Sequence, residues 1–184
     1  MNAFTAEDIE RCLSDNGCLT IPTQFTTIAD CAGRANCHIR SITFLGPISQ
    51  IGSEAFSCCS NLERIDLPAS LETMGEYAFS SCNIKELFIP GSLAVIPPNA
   101  FSYCTSLNQI TLECGIRSIS SQAFADCGRP LRICIPSSVT SIADNAFDSV
   151  LLPFSNFKPV EICASPGTFG ETWARQHPNV ATAV

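Results

Sequence analysis

The chain has 184 residues, 46% of them hydrophobic and 15% charged, with 17 acids against 10 bases and a net charge of −7. That length fits one domain, and the composition is far from that of a disordered chain. The bases are scattered singly (Arg40, Arg64, Lys85, Arg117, Arg132), so the clustered basic face that nucleic acid needs is missing and the acidity reads as a contribution to solubility.

No apolar run approaches the roughly 18 residues that span a bilayer, which argues against membrane insertion. The opening MNAFTAEDIERCLSDNG carries early acids and no continuous apolar core, unlike a signal peptide. No Asn-x-Ser/Thr acceptor occurs either. The expectation is a cytoplasmic chain, with the cell surface or secretion as the alternative if a leader has been removed.

Residues 1–18 read as an N-terminal helical cap. Thr5-Ala-Glu-Asp8 has the form of a capping box with Asp in place of the usual Glu, and Ile9, Cys12 and Leu13 come next at helical spacing. The helix should be short, stop near Asn16-Gly17, and cover the open end of the repeats that begin at Leu19.

From Leu19 onward one pattern recurs. Ala-Phe pairs end at Phe56, Phe79, Phe101, Phe124 and Phe147, spaced 23, 22, 23 and 23. A fixed period in this range predicts a solenoid, here of about six 22–23-residue units. The first copy is degenerate: Leu19-Thr-Ile21-Pro22 matches Ile65-Asp-Leu67-Pro68, but Cys31-Ala-Gly33-Arg34 stands where the Ala-Phe pair belongs.

Within a unit, apolar residues at positions 1, 4 and 6 predict a strand, as in Leu62, Ile65 and Leu67. Positions 4 and 6 recur as Ile42/Phe44, Leu87/Ile89, Ile110/Leu112 and Ile133/Ile135, and the alternation puts both on one face. In the fifth copy Pro130 takes position 1 and Leu131 is displaced by one. Pro22, Pro68, Pro90 and Pro136 end their strands, because proline brings no N–H to a ladder.

A second apolar pair comes later in each unit, three residues apart: Ile48/Ile51, Leu71/Met74, Leu93/Ile96, Ile116/Ile119 and Val139/Ile142. The phenylalanine lies five residues beyond. No unit carries enough apolar groups to fold alone, but stacking like over like buries a continuous column. After Phe147 the spacing slips, with about four extra residues inserted around 151–159. A last strand at Val160-Glu-Ile162-Cys163 precedes a turn and a short helix in which Phe169, Trp173 and Ala174 share a face, with Trp173 as anchor.

The cysteines number twelve. Cys37, Cys59, Cys82, Cys104 and Cys127 are taken as one repeat position, spaced 22, 23, 22 and 23. Such a position serves packing first, which predicts reduced, buried thiols. Stacked strands lie about 5 Å apart, so disulfides between turns remain open.

Ile51-Gly-Ser-Glu-Ala-Phe56 and Cys59-Ser-Asn-Leu-Glu-Arg-Ile-Asp-Leu-Pro68 resemble the BspA-like (Treponema-type) leucine-rich repeat. Val160 to Gln176 resembles that family's ending of strand, glycine-containing turn and small helix. The resemblance covers about residues 19–176 and implies binding and adhesion at the surfaces of bacteria and protozoan parasites, with no common catalytic activity. Departures are the missing first Ala-Phe pair, the shifted Leu131 and the richness in cysteine. The expected fold is a right-handed leucine-rich-repeat solenoid, β-rich within the α/β repeat class, with a parallel strand ladder and short helical caps. The expected division is 1–18 for the N-terminal cap, 19–163 for the repeats and 164–184 for the C-terminal turn-helix cap and tail.

A search for chemistry finds no phosphate loop and no Gly-x-Ser-x-Gly. His38 and His177 stand in separate contexts as surface or cap residues, and no Cys-x2-Cys supports zinc. Cys58 reads as an exposed thiol without a nearby cation, and Glu54, Glu76 and Asp144 as solvated residues near turns. No enzyme activity, cofactor or metal is therefore expected.

What remains is the outward side of the main strands: Ser41/Thr43, Arg64/Asp66, Glu86/Phe88, Gln109/Thr111, Arg132/Cys134 and Glu161. Solenoids commonly bind through such an extended concave face. The candidate partner-binding residues are Thr43, Arg64, Asp66, Glu86, Phe88, Gln109, Thr111 and Arg132, with Phe88 and the arginines as anchors and a protein as partner. The competing reading is an ordinary sheet surface with cross-strand pairs such as Arg64 with Glu86. The expected function is a non-catalytic protein–protein interaction module; the alternative is a secreted or cell-surface adhesin or host-interaction protein bearing disulfides.

Overall fold

The computed structural model describes residues 2–128, 130–148, 160–177 and 180–183. In chain order its elements are β1 (Ala3–Phe4), α1 (Ala6–Cys12), β2 (Cys18–Ile21), β3 (Thr27–Ile28), β4 (Ser41–Phe44), β5 (Gln50–Ile51), β6 (Arg64–Ile65), β7 (Thr73–Met74), β8 (Glu86–Ile89) and β9 (Val95–Ile96). Next come β10 (Gln109–Leu112), β11 (Ser118–Ile119), β12 (Leu131–Ile135), β13 (Ser141–Ile142), β14 (Val160–Ala164), α2 (Phe169–Gln176) and β15 (Val180–Ala183). All the strand pairs are parallel, and the chain winds as a leucine-rich-repeat solenoid of about six turns.

Each turn has three sides. The main strands stack as β2-β4-β6 and β8-β10-β12-β14-β15. Their inward residues, such as Leu87, Ile89, Ile110 and Ile133, are buried and those between them face out. The displaced Leu131 keeps its place in the core because it is two residues before Ile133, on the same face of β12. The second apolar pairs form a narrower ladder, β1-β3-β5-β7 and β9-β11-β13.

The third side holds no strand among the described residues, yet it is stitched from turn to turn as regularly. The N–H groups of Glu54, Phe56 and Cys58 donate to the carbonyls of Glu76, Ala78 and Ser80, and those of Phe101 and Tyr103 to Ala123 and Ala125. Aiming alternate amides in one direction requires two left-handed residues per turn. These are Cys31 and Ala35, Glu54 and Cys58, Tyr77 and Ser81, Asn99 and Tyr103, and Gln122 and Asp126, all with φ between 51° and 60°. Each costs about 1–3 kcal/mol outside glycine, offset by the ladder that forms.

The phenylalanines line up in one internal column. Phe56, Phe79, Phe101, Phe124 and Phe147 stack with successive ring centroids 5.6–5.7 Å apart and planes within 16°. In the first turn Gly33 takes this place. A Cβ there would sit 2.6 Å from the Phe56 ring, so glycine closes the column by leaving room for it.

Beside the column, the thiols of Cys59, Cys82, Cys104 and Cys127 donate to the carbonyls of Gly33, Phe56, Phe79 and Phe101 at 3.1, 3.1, 3.2 and 3.3 Å. The recurring cysteine thus adds a donor to a buried carbonyl, which an alanine of similar bulk could not; those of Gly33 and Phe56 also accept from the Asn36 and Cys59 N–H groups. Cys37 does not belong to this set. Counting 23 residues back from Cys59 reaches Asn36, and Cys37 is exposed. All twelve cysteines are free thiols, but only these four are buried; Cys31, Cys37, Cys58, Cys114 and Cys134 are exposed.

At the N-terminal end the Asp8 carboxylate accepts from the Thr5 N–H (2.9 Å) and hydroxyl (3.1 Å), as the capping box predicts. Hydrogen bonds from Thr5 and the nearby Arg11 hold Asp8 below the usual carboxylate range, against the opposing pull of desolvation. The helix ends at Cys12, before the expected Asn16-Gly17. Strand β1, unforeseen from the sequence, extends the second ladder and buries Phe4 edge-on against Phe25, with centroids 5.2 Å apart.

At the other end Trp173 meets Phe147 edge-on at 5.7 Å and carries His177 stacked on its other contact at 3.8 Å. His177 also faces Asp144 at 3.5 Å, so it belongs to the cap. The buried side of α2 is Gly170, Trp173 and Ala174; Phe169 is 40% exposed and does not share it. Strand β15 then continues the main ladder alongside β14. The insertion expected at 151–159 lies outside the described residues.

Candidate partner-binding face

The outward residues of the main strands form one face. Thr43, Arg64, Asp66, Glu86, Phe88, Gln109 and Arg132 are exposed there and Thr111 is half-buried. Register lines up Glu86, Gln109 and Arg132 in one row across β8, β10 and β12, and Phe88, Thr111 and Cys134 in the next. Phe88 is 50% exposed, an aromatic ring on the ladder with Thr111 as its paired neighbour.

The face is not continuous. No strand pairing joins β6 to β8, or β7 to β9, among the described residues. Both interruptions fall at the step where the repeat is one residue short, from Ile65 to Leu87 and from Met74 to Ile96. On the main ladder Leu45 and Glu113 donate to Ile21 and Ile89 of the preceding turn, and Pro68, Pro90 and Pro136 stand at the equivalent place. Strands β4 and β6, and β10 and β12, pair in spite of Pro68 and Pro136, so the one-residue deficit and not Pro90 distinguishes the parted step. On the second ladder Gly75 and Ser120 donate to Ile51 and Ile96, and the equivalent residue above Met74 is Pro97.

The parted strands open a cleft of about 370 Å³ lined by Glu63, Arg64, Ile65, Asp66, Lys85 and Glu86. Lys85 Nζ reaches Glu63 Oε2 across it at 3.0 Å, and this contact holds the Glu63 carboxyl below its usual range. Arg64 and Glu86 form no ion pair with each other in the structure, so the cross-strand pair expected between them is replaced by Lys85 with Glu63. Three of the eight sequence-derived residues, Arg64, Asp66 and Glu86, line the cleft. Thr43, Phe88, Gln109, Thr111 and Arg132 extend the face on either side. Glu63 and Lys85 were missed because they precede the strands.

Further along, Arg132 pairs with Glu161 at 3.4 Å. At the N-terminal edge Cys18 is held below the usual thiol range, chiefly by a hydrogen bond from Ser41. On the turn side Glu54 pairs with Arg34 at 3.0 Å and is not merely solvated.

The profile of the BspA type leucine rich repeat region matches residues 33–152 in six copies, well over half of the sequence. The chain belongs to this family. A comparison with curated proteins found no match. Among solved structures, this BspA-type chain is similar to a leucine-rich repeat protein from Bacteroides ovatus, at 26% identity and a TM-score of 0.66 over 82% of this chain and 40% of that one. It is similar in fold to the pneumococcal vaccine antigen PcpA, at 18% identity and 0.72 over 92% and 42%. A leucine-rich cell surface protein from Faecalibacterium prausnitzii gives 24% and 0.54 over 76% and 48%. The BspA-type chain therefore spans less than half the length of each of these structures. The family and the neighbours support a repeat module of the protein-interaction or surface type. No helix among the described residues is long and apolar enough to cross a membrane.

Proposed function

We propose that the chain is a non-catalytic protein-interaction module that binds its partner across the main-strand face, centred on the cleft between β6 and β8. The observation that carries this reading is the parted ladder. It exposes a mixed-charge cleft on a surface where every other described step is sealed by strand pairing. Phe88 supplies an aromatic anchor in the first strand beyond the break, and Arg64 supplies a guanidinium in the last strand before it. Strands that lack a neighbour also keep backbone groups available to an extended segment of a partner.

The test is affinity capture from the source cell, followed by titration of the recovered partner. The double variant R64A/F88A should weaken binding at least tenfold, since anchor truncations commonly cost more than about 1 kcal/mol each. Unchanged affinity would remove this face from consideration. The setting we favour is cytoplasmic with all twelve cysteines as thiols, and a thiol count in denaturant on protein from its source checks it.

A further inference from the structure

Cys134 and Cys163 occupy equivalent places on neighbouring strands. In the parallel pairing of β12 with β14 they are register partners. Their Cα atoms are thus about one strand spacing apart, roughly 4.8 Å, inside the 4.4–6.8 Å range that a disulfide spans. Cys134 is exposed and Cys163 half-buried. Both line an open cavity of about 530 Å³ with Leu112, Arg132, Pro136 and Ser165. No other two cysteines are register partners in the described ladders.

We propose that Cys134 and Cys163 form a dithiol site that takes low-molecular-weight disulfides and closes to a bond between β12 and β14. Cys134, the more exposed, loses its proton to solvent, and its thiolate attacks one sulfur of the incoming disulfide RSSR. The S–S bond of RSSR breaks, one RS⁻ leaves and takes up a proton, and Cys134 holds the other R–S group as a mixed disulfide. Cys163 then loses its proton and attacks the Cys134 sulfur, expelling the second RS⁻, which is protonated in turn. Two protein thiols are oxidised to one disulfide and one RSSR is reduced to two RSH.

The cavity admits the small disulfide. The register places the resolving thiol beside the attacking one, so the second step needs no movement of the strands. Burial pushes the Cys163 thiol above its ordinary value, and the neighbouring Cys134 adds to the shift. This favours Cys163 as the second, resolving group and marks the two side chains as interacting. The four core thiols are sequestered and already donate to carbonyls. The site lies at the C-terminal end of the same main-strand face, with Arg132 in its lining, but it rests on the register of the two cysteines and not on a partner.

The experiment uses the full chain, reduced and folded, incubated with glutathione disulfide and quenched by alkylation. A glutamate-specific protease cuts between the two cysteines at Glu161, and the peptides are mapped by mass spectrometry. The expected product is a direct Cys134–Cys163 bond that dithiothreitol reverses. In Cys163→Ser, Cys134 should stop at a single glutathione adduct. The proposal is overturned if the unmutated chain returns the pair as alkylated thiols, as two separate glutathione adducts, or bonded to other cysteines.

Discussion

At the scale of single residues, the cysteine of the repeat has a defined task. It is small enough for the core and carries one weak donor for the carbonyl that the turn-side ladder leaves over. Cys104 shows the consequence for ionisation: it is fully buried, and burial pushes its thiol from about 9 up to about 12. The folded protein therefore keeps the proton while the unfolded chain releases it above pH 9. Stability should be unaffected below that pH and should fall as pH rises from about 9 to about 12, by about 1.4 kcal/mol per pH unit from this group. Denaturant titrations at two pH values on either side of 9 should show a steeper loss for the native sequence than for Cys104→Ala. Parallel loss in both would show that this thiol ionises alike in both states.

Sequence reading worked for residues whose role repeats. The phenylalanine spacing, the Asp8 box and the Trp173 anchor were all visible as types at fixed intervals. It failed for Cys37, because counting cysteines and counting turns differ there by one residue. It also missed the ten left-handed positions, occupied by Tyr, Gln, Asn, Ser, Cys, Asp, Glu and Ala with no glycine among them. Their conformation is imposed by pairing with the next turn, which no local propensity reports.

At the scale of elements, the two-residue strands of the second ladder are too short to display an alternating pattern, so that ladder emerges only on stacking. The break was written in the sequence as a 22-residue step, with Pro97 on the second ladder. Its meaning depended on knowing which amide that proline replaces. The candidate face was legible as a row of outward positions, whereas the cleft that gives it a centre was not. Hydrogen exchange should reveal the break directly. The amides of Glu86, Leu87 and Phe88 have a paired strand on one side only and should exchange faster, on average, than those of Gln109, Ile110 and Thr111, which have one on each side. Equal protection would mean that β6 and β8 close up in solution.

At the scale of the whole molecule, stability is held in a chain of neighbour contacts. Phe101 sits at the middle of the ring column, fully buried and stacked on Phe79 and Phe124 at 5.6 Å each. Phe101→Ala should cost about 3–5 kcal/mol in folding free energy by denaturant titration, because it leaves a void that stacked turns cannot collapse around. A loss under about 1 kcal/mol would show that the turns cohere through backbone hydrogen bonds alone.

Across the break the turn side remains sewn. Phe79 and Ser81 donate to Ala100 and Ser102 at 2.9 and 2.8 Å, and the buried hydroxyls of Ser80 and Ser102 meet at 3.0 Å. A body hydrogen-bonded along one edge and without strand pairing along the other two, where the Lys85–Glu63 contact spans the gap, behaves as a bound volume with a spine. Its bending stiffness is lowest for rotation about that edge, and such rotation changes the width of the gap between Arg64 and Glu86 while the spine keeps its length. The same one-residue deficit that parts the strands thus sets both where the molecule flexes and which aperture that flexing adjusts.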